Sequence, residues 1–406
     1  MSVKAVLADL CAPNGIQTGP FGSQLHQSDY EKVGTPVIMP VDLVDGGVSE
    51  AKIARVSQEH VERLSRHKVK AGDLIYARRG DVGRASLIGE NEDGWLCGTG
   101  CLRATPNANK IDSRYLYYLM TQPNVIGWFV NHAKGTTMLN LNSEILASVP
   151  LEYEPDLSIQ RRIAGVLSAY DKLIENNRKQ IKLLEEAAQR LYKEWFVDLH
   201  FPGHETTPIH NGIPEGWKRT TVGQSSSLVS RGVTPAYADD SNELVLGQRC
   251  VRNNLIDLSF ARHHKPKKPN EKWLKKWDVL INSTGTGSLG RTAQFWLDNN
   301  NVVVDSHITI IRAQQREVAA YLGQWAFSNE AMLEALHTGS TGQTELPRDR
   351  VANCHVLIPD NDLLDLFYTL IETMTMRIVA AQQQIVAARE ACDRLLPKLM
   401  SGEIEV

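Results

Sequence analysis

QRRIAGVLSAYDKLIENNRKQIKLLEEAAQRLYKEWF, residues 160–196, decides the architecture of this chain. Ile163, Leu167, Tyr170, Ile174, Asn177, Ile181, Leu184, Ala188, Leu191 and Trp195 recur at alternating spacings of three and four, the seam of a heptad helix. Glu175, Arg178, Lys179 and Lys182 occupy the opposite face. Shifted by 204 positions, the same seam returns as Phe367, Ile371, Met374, Ile378, Ala381, Ile385, Ala388, Cys392, Leu395 and Leu399, with Gln382, Gln383 and Arg389 outside it. Pro155-Asp156 and Pro359-Asp360 start the two helices; Pro202-Gly203 and Ser401-Gly402 stop them. The shared register predicts that the helices pack on each other rather than only on their globular neighbours. Each is about 60 Å long at 1.5 Å per residue.

The segments before the helices also repeat. Ala71–Ile88, AGDLIYARRGDVGRASLI, matches Lys276–Phe295, KWDVLINSTGTGSLGRTAQF: an Asp, an apolar strand, a polar glycine turn, Gly-Arg and another strand. Leu102–Thr105 matches Ile311–Gln314, and each precedes a helical stretch with Tyr-Leu (Tyr115-Leu116; Tyr321-Leu322). Lys134 to Thr137 matches Thr338 to Thr341, and a strand ending in proline (Pro150; Pro359) then leads into the long helix. Short β-branched strands between Gly, Asn and Asp turns, mixed with a few helices, predict an α+β class. The order is module 1–155, helix 156–200, module 201–359 and helix 360–406, with Pro202–Gly216 as linker. Two similar modules on matched helices form a pseudo-two-fold object, the kind that mirrors a two-part target.

Composition sets the bounds. The 406 residues are 42% hydrophobic and 22% charged, enough for more than one core and incompatible with wholesale disorder. No apolar run approaches the roughly 18 residues of a bilayer span, and the N-terminus does not read as a signal peptide because Asp9 interrupts it. Six scattered cysteines make no disulfide framework, so reduced thiols in the cytoplasm are expected. A net charge of −3 gives no global attraction to nucleic acid. Locally, Arg262, His263, His264, Lys265, Lys267, Lys268, Lys272, Lys275 and Lys276 form a basic block that either lines phosphates or solvates a surface.

Enzyme motifs fail on context. Gly285-Thr-Gly287-Ser-Leu-Gly290 matches GxGxxG, but a strand-like RTAQFW follows where a dinucleotide site needs a helix. The chain has no Pro-Pro pair, hence no Asn/Asp-Pro-Pro-Tyr motif of an amine methyltransferase, and no Glu-x-Lys follows Pro155-Asp156 or Pro359-Asp360 as a nuclease would require. Cys97 and Cys101 have the spacing of half a zinc site without a second pair, and His200, His204 and His210 lie in the linker. Ser/His/Asp combinations carry no weight without geometry. Trp195, Trp273 and Trp277 are expected in cores rather than stacked on bases.

The whole chain resembles the specificity (S) subunits of type I restriction-modification systems. The resemblance rests on the opener Ile213-Pro-Glu-Gly-Trp217, GDLIYARRGDVGR and WDVLINSTGTGSLGR, KGTTMLNLNSEILASVPL with TGSTGQTELPRDRVANCHVLIP, and the helix quoted above. The first module lacks the Pro-x-Gly-Trp opener and starts directly with Leu10 to Gly22. The resemblance implies two target-recognition domains, a pair of antiparallel helices as a ruler, and a bipartite asymmetric double-stranded DNA site. It further implies docking of two methyltransferase subunits, which a restriction subunit can join, and a prokaryotic cytoplasmic setting. S-adenosylmethionine, and ATP with magnesium, would belong to those partners; no cofactor, metal or catalytic residue is assigned to this chain. A two-subunit type IIB-like or nuclease-less complex is the related alternative. A self-sufficient modifying enzyme and a scaffold between two proteins are the other classes.

Base reading needs side chains that bond base edges, and positioning needs cations on phosphates. In the first module the candidates are Gln24, Arg78, Arg79, Arg84, Lys134, Thr137 and Asn140. In the second they are Arg249, Arg252, His263, Lys265, Lys267, Lys268, Ser283, Thr284, Arg291, Thr341 and Gln343. Arg79, Gln24, Ser283 and Arg249 are assigned to bases and the lysines to phosphates.

Overall fold

The computed structural model describes residues 2–44, 46–133, 139–265, 272–285, 287–298, 301–339 and 344–406. The chain divides into two compact units, residues 1–174 with 386–406, and residues 175–385. The cut falls inside the long helices, so each unit holds one globular module and a part of both helices.

In the first unit, Cys11–Thr18, Cys101–Pro106, Leu74–Ala77 and Ala85–Leu87 form an antiparallel sheet in that order. The strand Leu74–Ala77 is buried along its whole length, as the unbroken apolar run LIYA requires of a strand covered on both faces. A second sheet orders Leu96–Cys97, Thr35–Ile38, Ala54–Val56 and Tyr30–Glu31, its first pair parallel. Val3–Val6 pairs with Pro150–Tyr153, and Leu43–Val44 with Gly47–Val48.

The second unit repeats this topology. Its main sheet orders Ser226–Arg231, Ile308–Ala313, Val279–Asn282 and Thr292–Gln294. Its second sheet orders Arg262–His263, Leu244–Leu246 and Val302–Val304, again with one parallel pair. Lys218–Thr221 pairs with His355–Ile358, and Val251–Arg252 with Leu255–Ile256. Sheets and helices mix in both modules, and the class is α+β. Equivalent details recur down to single atoms. A Cβ on Gly19 would lie 1.9 Å from the Gly98 carbonyl oxygen, and one on Gly232 2.2 Å from that of Asp305, so both crossings demand glycine.

The central helix spans Leu157–Tyr192 and ends in a π-turn over Lys193–Val197; the C-terminal helix spans Asn361–Ser401 and runs through Pro397 near its end. All the seam positions are buried or half-buried. In the first unit Ile163, Ala164 and Leu167, at the start of the central helix, share a core with Leu399 and Met400 at the end of the other. In the second unit Tyr192, Trp195 and Phe196, at the end of the central helix, share a core with Leu363, Leu364, Phe367 and Ile371 at the start of the other. Start meets end in each unit, so the helices are antiparallel. Trp195 and Trp277 are core residues, 8% and 5% exposed.

Candidate nucleic-acid interface

In the first unit the strand Leu74–Ala77 runs into the turn Arg78-Arg79-Gly80. The Arg78 N–H donates to the Gly100 carbonyl and the Leu141 N–H to the Arg78 carbonyl, both at 2.8 Å; Gly80 N–H reaches the Leu139 carbonyl at 3.3 Å. Three segments are thus pinned into one face. Arg78 Nε donates to Asn140 Oδ1 at 3.3 Å, and its guanidinium stands 6.0 Å from the ring centre of Phe21, which is 56% exposed. Arg79 is exposed and opposite Asn140. Arg84 is half-exposed, 3.5 Å from Asp81. Gln24 uses its side-chain oxygen to accept from the Phe21 N–H, which closes the adjoining turn. Lys134 and Thr137 lie outside the described residues.

The second unit has the same frame with different side chains. Ser283 N–H donates to the His307 carbonyl and Leu346 N–H to the Ser283 carbonyl, both at 2.8 Å, and Thr284 stands opposite Glu345. Ser283 and Thr284 therefore hold the places of Arg78 and Arg79. The assignment of Ser283 to base reading needs correction: it is fully buried, its hydroxyl 2.7 Å from Thr309 Oγ1 and 3.1 Å from the Ile281 carbonyl. No base edge can reach it. Thr284 Oγ1 is shared by His307 Nδ1 and Gln248 Nε2, each at 2.9 Å. Below this turn, Asp305 accepts from the His307 N–H at 2.8 Å, while burial outweighs that bond and lifts its carboxyl above the usual range. Arg291 is half-exposed beside the turn, and Thr341 and Gln343 lie outside the described residues.

The cations of this module sit one element away. Gly98 N–H to the Ile38 carbonyl corresponds to Asp305 N–H to the Leu246 carbonyl, and Ser49 N–H to the Asp42 carbonyl corresponds to Asp257 N–H to the Cys250 carbonyl. Counting between these anchors, Arg249 holds the place of Val41 and Arg252 that of Val44. In the first module those positions are exposed valines, 77% and 45%. In the second, both arginines are exposed and flank one ring, with guanidinium centres 4.6 and 5.5 Å from the Phe260 centroid. Stacking on an aromatic face steadies a guanidinium without consuming its donors.

The basic block is not one patch. Arg262 stacks on Tyr237 at 3.4 Å, His263 Nδ1 lies 2.7 Å from the Ser241 carbonyl, and Lys265 is exposed. Lys272 turns inward to donate to the Arg231 carbonyl at 2.7 Å, and Lys276 lies 3.7 Å from Asp298. Lys267 and Lys268 are outside the described residues. The sequence pattern passed over Phe21, Phe260 and Tyr237, the rings that hold these arginines; an aromatic beside a turn arginine was the available signal. The GxGxxG stretch lies between the strands Val279–Asn282 and Thr292–Gln294, so a strand and not a helix follows it. Cys97 and Cys101 are buried, which pushes Cys97 up to about 12, opposite to a thiolate ligand.

A family model for the type I restriction modification DNA specificity domain matches residues 17–186. The chain is 26% identical over 368 residues to the MjaIX specificity subunit of Methanocaldococcus jannaschii, covering 86% of this chain and 82% of that protein. It is 28% identical over 133 residues to the HindI specificity subunit of Haemophilus influenzae, 32% of this chain and 29% of that one. Among solved structures, the S subunit of a type I restriction-modification system from M. genitalium matches with a TM-score of 0.62 at 13% identity, over 98% of this chain and 96% of that one, a likeness of fold.

Proposed function

Because this chain belongs to the type I restriction-modification specificity-subunit family, we propose that it reads a bipartite, asymmetric double-stranded DNA site, one half with each module. The functional parts are the modules 1–155 and 201–359 and the helices 156–200 and 360–406, the helices serving as the spacer. The chain carries no chemistry itself. It docks two methyltransferase subunits, which a restriction subunit can join, and it works in the cytoplasm of a prokaryotic cell. S-adenosylmethionine, and ATP with magnesium, bind those partners.

One observation supports the reading above all. The same strand–turn frame is built twice, with its cations on different elements: Arg78 and Arg79 on the strand turn of the first module, Arg249 and Arg252 on the hairpin side of the second. A repeated frame with unlike side chains suits two half-sites of unlike sequence, since phosphate contacts position a protein while base contacts specify the site. The test is a map of methylated adenines in the native genome with and without this gene. Loss of one motif, two short defined halves around an undefined gap, is expected. An unchanged map overturns the reading.

A further inference from the structure

The two modules differ where the start of a long helix meets the main sheet. In the second unit that place is filled. Trp277, with φ of 76°, sets its indole 5.4 Å from the Tyr368 ring, and the Arg316 guanidinium lies 5.1 Å from the same ring. The Tyr368 hydroxyl donates to Glu372 at 2.5 Å, and the Trp296 indole N–H to Gln294 at 3.1 Å. All three rings are buried.

Main-chain bonds identify the equivalent positions of the first unit. Gly72 N–H donates to the Ile88 carbonyl as Trp277 N–H donates to that of Phe295. Gln160 N–H donates to the Asp156 carbonyl as Leu364 N–H donates to that of Asp360. Counting from these, Gly72 stands for Trp277, Gly89 for Trp296, Ala164 for Tyr368 and Ser168 for Glu372. Gly72 even keeps the left-handed backbone, with φ of 91°. The side chains are missing, and a groove of about 480 Å3 takes their place, floored by Gly72, Gly89, Ala164, Gly165 and Ser168. Glycine inside a helix costs about 1 kcal/mol against alanine, and a Cβ on Gly165 would meet nothing within 4 Å. No packing among the described residues of the unit offsets that cost. At the groove rim stand Arg114 and Arg161, both exposed and without an ion pair among the described residues, with Glu90 as the one acid there besides the helix-capping Asp112.

We propose that this groove receives a tryptophan or tyrosine side chain from a partner subunit, with a carboxylate of the same segment on Arg114 and Arg161. The second unit is the precedent: on the same backbone frame, indole and phenol rings fill this space beside a guanidinium. Aromatic anchors in pockets, with arginine at the edge, concentrate binding energy at protein interfaces. The proposal rests on the reading that the chain works docked to methyltransferase subunits, and it makes the docking unequal at the two modules.

Full-length chain is co-expressed with the methyltransferase subunit, and assembly is followed by sedimentation. Ala164→Tyr and Gly165→Trp, which fill the groove from within, and the pair Arg114→Glu with Arg161→Glu are each expected to weaken assembly at least tenfold. Melting curves of the isolated chain establish that each variant folds, and Gly165→Trp, projecting into open space, covers the case in which Ala164→Tyr does not. In parallel, indole-3-acetate is titrated into the chain alone; saturable binding is expected for wild type and its loss in the filled variants. Wild-type assembly of the filled variants overturns the proposal, even if indole-3-acetate binds, since the groove would then serve a small molecule. Absence of saturable indole-3-acetate binding overturns it as well. A wild-type chain that assembles with no methyltransferase subunit overturns the functional reading instead, a result separate from either groove outcome.

Discussion

Arg312 closes on Asp278 through two nitrogens, Nε at 2.8 Å from one carboxylate oxygen and Nη2 at 2.6 Å from the other, while Nη2 also donates to the Trp273 carbonyl at 2.7 Å. Asp278 is 1% exposed. In the first module Asp73 holds the place of Asp278, and Arg103 approaches it at 3.8 Å from another strand position: Ala104 pairs with Leu74 as Ile311 pairs with Val279, so Thr105 stands where Arg312 does. Each pair ties the strand before the interface turn to its neighbour, and so sets where that turn emerges.

Removing one partner of a buried pair leaves an uncompensated charge. Asp278→Ala is expected to cost about 3–5 kcal/mol, and the double change Asp278→Leu with Arg312→Met to recover most of it. Denaturant unfolding of the three chains checks this. A single variant as stable as wild type would mean that Arg312 finds water instead.

Phe196 anchors the helix pair of the second unit, with ring centres 4.7 Å from Phe367, 5.1 Å from Tyr321 and 5.8 Å from Trp217. Phe196→Ala is expected to cost about 3–5 kcal/mol, and Phe196→Leu clearly less. Thermal melting of both against wild type measures the difference; equal losses would indicate that the ring contacts, and not the volume they fill, carry the anchoring.

Glu185 lies on the central helix beside a cavity of about 10 Å3, room for about one water, lined also by Gln324, Thr375 and Trp296. Its Oε1 is buried without a hydrogen-bond partner among the described residues. Burial, and then the charge of Glu186, push its carboxyl up to about 7. A folded-state value raised above the unfolded one means stability that is whole below the unfolded value, near 4.5, and is lost as pH rises through 7. Glu185→Gln should therefore match wild type at pH 4 and exceed its unfolding midpoint at pH 8.5. A constant difference across that range would count against the titration of Glu185.

Arg79 and Arg249 are expected to act on different halves of the DNA site. Each to alanine should relax the methylated motif in one half only and cost about 1–3 kcal/mol of affinity for the cognate site. An arginine that serves a phosphate instead would weaken all sequences alike and flatten the salt dependence by about 0.9 in slope. Motif maps from complemented cells, with binding at two salt concentrations, separate these outcomes.

Much of the architecture was legible in residue order. The seam from Ile163 to Trp195 and its copy from Phe367 to Leu399 require only helical periodicity, and both seams are buried in place. The repeat of Ala71–Ile88 in Lys276–Phe295 carried the common sheet order. The interface was less legible. Ser283 and Arg78 occupy one position of one motif, yet Ser283 is sealed under Thr309 while Arg78 reaches Phe21. Lys272 counts as a basic residue in any run of sequence, but its ammonium is turned onto the Arg231 carbonyl.

Local order alone, then, determined the two modules, the two helices and the turns that join the strands, because periodicity, glycine turns and caps act over a few residues and leave their mark in the sequence. Tertiary structure decided which cations face outward, that Phe260 carries Arg249 and Arg252, and that Gly72 and Ala164 leave open what Trp277 and Tyr368 close. These are matters of packing between residues far apart in the chain, where the volume and burial at one position are set by side chains that no local pattern contains.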